Sequence, residues 1–266
     1  MMNSIDIRLR KIQKEKRIGL MTHVVVGYPS LFETVSLVET MERAGADFIE
    51  LQIPFSDPLA DGPTIMKACE KALRKGVRVR DAFRVAAQLK KKVEVPLLFM
   101  AYYNNVFKYG VKRFCTDAKK AGVSGLIIPD MPIDEEHGEH FFAACKKNNL
   151  YAIRVISPVS TIGRLKKNAK GAKGFVYCMA RQGTTGAQKK IDPNVVAFLK
   201  KVKEVFKIPV AVGFGISKKE HVDLLKRQVD IVIVGSAIID AINRSNRKEI
   251  AKSTQQFIES LIKVPR

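Results

Sequence analysis

One unit recurs eight times along the chain: a short apolar, β-branched run bounded by Gly, Pro or Asp, followed by a longer amphipathic segment. The runs are Thr22 to Gly27, Asp47 to Ile53, Pro96 to Ala101, Ser124 to Pro129, Ala152 to Ile156, Gly174 to Met179, Pro209 to Gly213 and Asp230 to Gly235. Their near-continuous apolar character is what parallel strands covered on both faces require. Between them lie helical patterns such as "SLFETVSLVETMERAG", stopped by Gly45, and "DPNVVAFLKKVKEVFK", with Pro193 near its start. Eight such alternations without a break in composition predict an α/β fold, a single (β/α)8 TIM barrel over residues 1–266. A doubly wound open sheet is the alternative, and the count of eight favours closure. A helix at about Ser4 to Lys14 and another at about Lys248 to Ile262 look like additions to the barrel.

Composition narrows the function classes. At 266 residues and 46% hydrophobic content, the chain can bury a barrel-sized core. No apolar run is long enough to cross a bilayer, and the charged N-terminal stretch has no signal-peptide core. Cys69, Cys115, Cys145 and Cys178 are scattered, with no CxxC, which suits a reducing compartment and predicts a cytoplasmic protein. The net charge of +21 raises nucleic acid as a partner. The lysines, however, fall in runs such as Lys90 to Lys92 and Lys166 to Lys173 with no interleaved aromatics, so they read as a solvated surface. A general attraction for anionic substrates is the remaining consequence.

A barrel of this kind carries its active site at the C-terminal ends of its strands. Glu50 is a lone carboxylate inside the second run, and carboxylates are rarely buried without a partner. It is either paired with a neighbouring Lys or Arg, or forms one wall of a site with Asp61 of the following loop. Gly213 and Gly215 end the seventh run. Gly235 and Ser236 end the eighth and open a helix, whose first N–H groups are unsatisfied donors. Together with Gly186 they suggest a cradle for a phosphate. His137 and His140 in "DEEHGEH" lack an evident third ligand, so an acidic helix start accounts for them better than a metal. Neither a nucleophile elbow nor a dinucleotide fingerprint is present. The chemistry left is acid–base catalysis by carboxylates, without a metal or cofactor in this chain.

The stretch "IELQIPFSDPLADGPTI" closely resembles the signature of the tryptophan synthase α subunit family. The likeness extends through "MAYYNNVFKYG", "GLIIPDMPIDEE", "YCMARQGTTGA", "GFGIS" and "VGSAII", covering nearly the whole chain. The resemblance implies a lyase that cleaves indole-3-glycerol phosphate to indole and glyceraldehyde 3-phosphate. It also implies docking to a pyridoxal-phosphate β subunit, in an α2β2 heterotetramer, that receives the indole. By that resemblance Glu50 is the acid and base, and Asp61 accepts from the indole N–H. Tyr177 contacts substrate, and Gly186, Gly215, Gly235 and Ser236 cradle the phosphate beside the turn at Gly213. Thr185 lies in a loop that closes over the substrate. The loops carrying Asp57, Asn104, Phe107 and Asp130 share one rim, the expected β-subunit face.

The sequence departs from that family at Tyr28, Asn105, Ala180 and Thr184, and inside the signature at Gln52, where Gly is usual. Strand alternation puts Gln52 on the face of Phe48 and Glu50. Its amide is expected to fill part of the pocket, bond to Glu50, or turn aside. The chain alone is therefore expected to be a poor lyase, whose turnover β-subunit docking or Gln52→Gly raises. Three functions stay open: a working α subunit, a stand-alone lyase or a barrel acting on another phosphorylated aromatic, and a binding barrel that activates a partner or holds polyanions.

Overall fold

The computed structural model describes residues 2–179, 193–213 and 215–262. Eight parallel strands close on themselves in chain order: β1 (Gly19–Val25), β2 (Phe48–Gln52), β3 (Leu97–Met100), β4 (Val123–Ile127), β5 (Tyr151–Ile156), β6 (Val176–Met179), β7 (Val210–Gly213) and β8 (Ile231–Val234), with β8 pairing back onto β1. The expected barrel is therefore the observed one. Strand β1 starts earlier than its apolar run suggested. Its ladder with β8 begins at Gly19, and the Leu20 N–H is taken by the buried carboxylate of Asp47. That carboxylate is held in turn by two bonds from Arg17, at 2.6 and 2.7 Å. A hydrophobicity count cannot see such a partner.

The N-terminal helix, Ser4–Lys14, belongs to the core. Ile5 and Ile12 are buried in one cluster with Met21, Phe48, Leu98, Phe175 and Ile231, so the helix packs its apolar stripe onto the residues inside the barrel. Glycines make the room. A Cβ on Gly19 would stand 2.8 Å from the Ile12 side chain, and one on Gly125 would stand 3.0 Å from that of Ile5. Asn3 fixes the entry: its side chain caps the Ile5 N–H and donates to the carbonyls of Ser124 and Asn149. The closing helix runs Ile250–Ile262 after a 3-10 turn at Arg247–Glu249, slightly shorter than expected, and packs on the helix Leu31–Arg43.

Two helices, Pro63–Arg74 and Val79–Leu89, follow β2, and two more, Tyr103–Tyr109 and Val111–Lys120, follow β3. The "DEEHGEH" run forms a short helix, Glu136–Glu139, ended by His140 in a left-handed conformation (φ 54°). Glu136 accepts from the N–H groups of Phe142 and Ala143, so the acidic run satisfies the start of the next helix. Lys90, Lys91 and Lys92 are solvent-exposed.

Candidate active site

The site grows out of the top of β2. Glu50 is 2% exposed, and its register partner on β1 is His23, also buried. Nδ1 of His23 stands 3.2 Å from a Glu50 carboxylate oxygen. The partner that a buried acid demands is thus a histidine from the adjacent strand. The sequence reading sought a Lys or Arg and overlooked His23. The available signal was parity: His23 lies two residues after Met21, whose side chain is in the barrel interior.

Gln52 takes none of the expected positions. Its amide nitrogen donates to Asp61 at 2.5 Å, so it anchors the loop that carries Asp61 to the strand. The phenol of Tyr102, just past β3, also donates to Asp61, at 3.1 Å, and accepts from the N–H of Ala60 at 2.9 Å. Phe55 stacks on the Tyr102 ring, with centroids 5.2 Å apart, which pins the same loop at a second point. Tyr102 is the other functional side chain that reading the sequence missed.

Asp61 is a partly buried loop acid. Burial raises its proton affinity above the ordinary carboxylate value, with Glu50 adding to the effect, although His23, Gln52 and Tyr102 oppose it. For His23, burial disfavours the charge, but Glu50, then Asp61 and the Gln52 amide, outweigh it and raise the ring above the ordinary 6.5. Tyr177 is pushed well above the usual phenol range by burial and then by the two acids, so it stays protonated.

Glu50, Asp61, Tyr177, Gly213, Gly215, Gly235 and Ser236 all line one cavity of about 970 Å³ at the C-terminal mouth of the barrel. That volume suits a small-molecule ligand. In the same cavity, Gly213 leaves room for Tyr177, whose hydroxyl would lie 3.2 Å from a Cβ there. Gly215 has φ +62°, a conformation that favours glycine, with open space beside it. Gly235 precedes the helix Ser236–Arg244, so the helix's first N–H groups open toward the cavity. Thr185 and Gly186 lie outside the described residues, as do Ala180 and Thr184.

On the rim, Asp57, Asn104 and Phe107 are exposed, and so is the apolar side chain of Leu59 beside Asp57. Asp130 does a local job: its carboxylate takes the Tyr103 N–H at 2.8 and 3.0 Å, at the start of the helix Tyr103–Tyr109. Among the described residues, no group of three His, Cys, Asp or Glu side chains could hold a metal ion, and no helix is long and apolar enough to cross a membrane.

Comparison with known proteins converges on one family. The family described as "Tryptophan synthase alpha chain" matches residues 9–264. A protein of that name from Desulfotalea psychrophila is 44% identical over 253 residues, covering 95% of this chain and 97% of its own. Another, from Caldanaerobacter subterraneus, is 40% identical over 99% of this chain and 100% of its own. Among solved structures, tryptophan synthase subunit alpha from Legionella pneumophila superposes with a TM-score of 0.89 at 31% identity, over 98% of this chain and 97% of that one. A chain of tryptophan synthase from M. tuberculosis, in an aminoacrylate-bound form, gives 0.87 at 31% identity, over 98% of each chain.

Proposed function

The chain belongs to the tryptophan synthase alpha chain family, and from that premise we propose how its barrel mouth carries out the reaction. The activity is the lyase half-reaction, cleavage of indole-3-glycerol phosphate to indole and glyceraldehyde 3-phosphate. Glu50 is the proton donor and acceptor. It gives a proton to indole C3 and takes one from the adjacent glycerol hydroxyl, and the C–C bond breaks as the hydroxyl carbon becomes an aldehyde. Asp61, oriented by Gln52 and Tyr102, accepts from the indole N–H and stabilises the positive charge that develops on that nitrogen. Tyr177 bounds the ring pocket. The backbone at Gly213, Gly215, Gly235 and Ser236 receives the phosphate, with Thr185 and Gly186 assigned by resemblance.

The observation that carries this reading is the shared cavity, lined by both acids and by the glycine-rich ends of β7 and β8. The exposed rim with Asp57, Leu59, Asn104 and Phe107 supports docking of a β subunit, to which Asp130 contributes through the helix it caps. We assign pyridoxal phosphate to that partner, an α2β2 heterotetramer to the assembly, one domain to residues 1–266 and the cytoplasm as its place. The decisive assay incubates pure protein and its Glu50→Gln variant with indole-3-glycerol phosphate, with and without a β subunit. Indole is expected from the first alone, rising on addition of the partner. Near-normal turnover by Glu50→Gln would sink the assignment.

A further inference from the structure

His23 is the one group at the acid wall that the reaction as described does not use. Its place is set by the backbone: β1 and β2 pair so that His23 faces Glu50, and the ring and carboxylate meet at 3.2 Å with both side chains almost sealed from water. The hydrogen-bond inventory then decides the ring's state. If the ring were neutral with its proton on Nδ1 toward Glu50, Nε2 would be an acceptor. The polar group beside it is the amide of Gln52, whose nitrogen donates to Asp61. Its oxygen would therefore face another acceptor. His23 Nε2, Gln52 Oε1 and the Glu50 oxygen facing Nδ1 are all buried without a hydrogen-bond partner among the described residues. An imidazolium answers both ends at once, with Nδ1–H to Glu50 and Nε2–H to Gln52 Oε1. A buried acceptor left unsatisfied costs about 1–3 kcal/mol, so the arrangement favours a proton on Nε2 and a second one held between Nδ1 and Glu50.

We propose that His23 is a positioning residue that stores the proton used by Glu50, and that Gln52 ties this pair to Asp61, making the two acids one linked unit. The proposal rests on the lyase reading. In turnover the stored proton crosses from Nδ1 to Glu50 and on to indole C3. Glu50 then takes the proton of the glycerol hydroxyl as the C–C electron pair returns to the ring and the oxygen becomes a carbonyl. The pair ends with the one proton it began with. Among the described residues, the charged or titratable groups facing His23 are Glu50 from β2 and Asp61 from the next loop, while β8 and the helix Pro63–Arg74 bring it the uncharged Gly235 and Ile65.

Two measurements test it, one independent of turnover. The chain has four histidines, so ring signals can be assigned by NMR through single variants. The His23 ring is expected to titrate above the ordinary 6.5 and to fall in Glu50→Gln. In parallel, kcat is followed against pH for wild type and His23→Asn, whose amide keeps a donor at the Nδ1 position without a titrating proton. The expected loss is about tenfold or more on the alkaline side and smaller on the acid side, with glycerol phosphate affinity unchanged. A His23 ring that titrates below 6.5 and ignores Glu50→Gln, or a His23→Asn profile superimposed on wild type, overturns the proposal. If His23→Asn fails to fold, His23→Gln and the wild-type titration decide. A folded wild type that cleaves no substrate sinks the lyase reading instead, and the ring titration still decides the pair.

Discussion

At the scale of single residues, the consequence of a side chain here depends on which neighbour it reaches. Gln52 reaches Asp61 and its bond lowers that acid's proton affinity. Gln52→Gly is therefore expected to slow turnover, against what a blocked pocket would give. A hydrogen bond to a charged group contributes about 1.5–3 kcal/mol, enough for roughly tenfold or more in rate if it is lost at the transition state. Removing it also raises the Asp61 proton affinity, so the acid limb of kcat/KM should move to higher pH. Steady-state kinetics of the variant across pH check both, and a faster enzyme would show that the amide obstructs the site. Asp61→Asn should lose most activity with the phosphate affinity intact, because the charge opposite the indole nitrogen is gone while the glycine rim is untouched. Competition by inorganic phosphate measures that affinity.

At the scale of elements, two pieces of the chain act through what they brace. The loop after β2 is held by Tyr102, which donates to Asp61 and accepts from Ala60. Tyr102→Phe keeps the stack on Phe55 and removes both bonds. It should cost about 1–3 kcal/mol in transition-state stabilisation, read as a lower kcat/KM with a folding midpoint shifted much less. The Ser4–Lys14 helix braces the barrel by packing Ile5 and Ile12 onto its interior residues. Ile5 is fully buried among interior residues, so Ile5→Ala should destabilise the chain by about 2–5 kcal/mol through lost contacts and a cavity. Denaturant titration measures it. An unchanged midpoint would mean that the helix is dispensable.

At the scale of the whole molecule, a net charge of +21 creates a field rather than a site. Its expected effect is on the capture of an anionic substrate. KM should rise as salt is raised from about 0.05 to 0.5 M, because screening shortens the reach of the field from roughly 14 to 4 Å. The buried acid wall is shielded from that screening, so kcat should hold. A salt-independent KM would leave the charge without a catalytic role. For the docking rim, charge reversal at exposed Asp57 should weaken activation by a β subunit and leave basal turnover nearly unchanged. Binding assays with the partner separate the two. Reversal at Asp130 is a poorer probe, since that carboxylate also holds the Tyr103 N–H.

The number of strands, their parallel closure, the two terminal helices and the acids at the mouth were legible in the sequence by itself. Each follows from local chemistry: apolar runs of strand length, amphipathic period, Gly and Pro stops, and a carboxylate inside an apolar run, which demands a partner or a site. The glycines at the ends of β7 and β8 were legible for the same reason, as strand-end residues in a barrel, whereas Tyr177 entered only through the family resemblance. His23, Tyr102 and the true partner of Gln52 were not. Their roles depend on register and on loop return, which bring His23 across from Glu50 and carry Asp61 back over Gln52. The same is true of the N-terminal helix, whose apolar stripe marks it as packed but does not show that it packs onto the barrel's interior residues. Sequence determines which residues must leave water. Only the closed sheet decides which of them meet, because a pairwise contact between strands exists only once the backbone ladder has set the register.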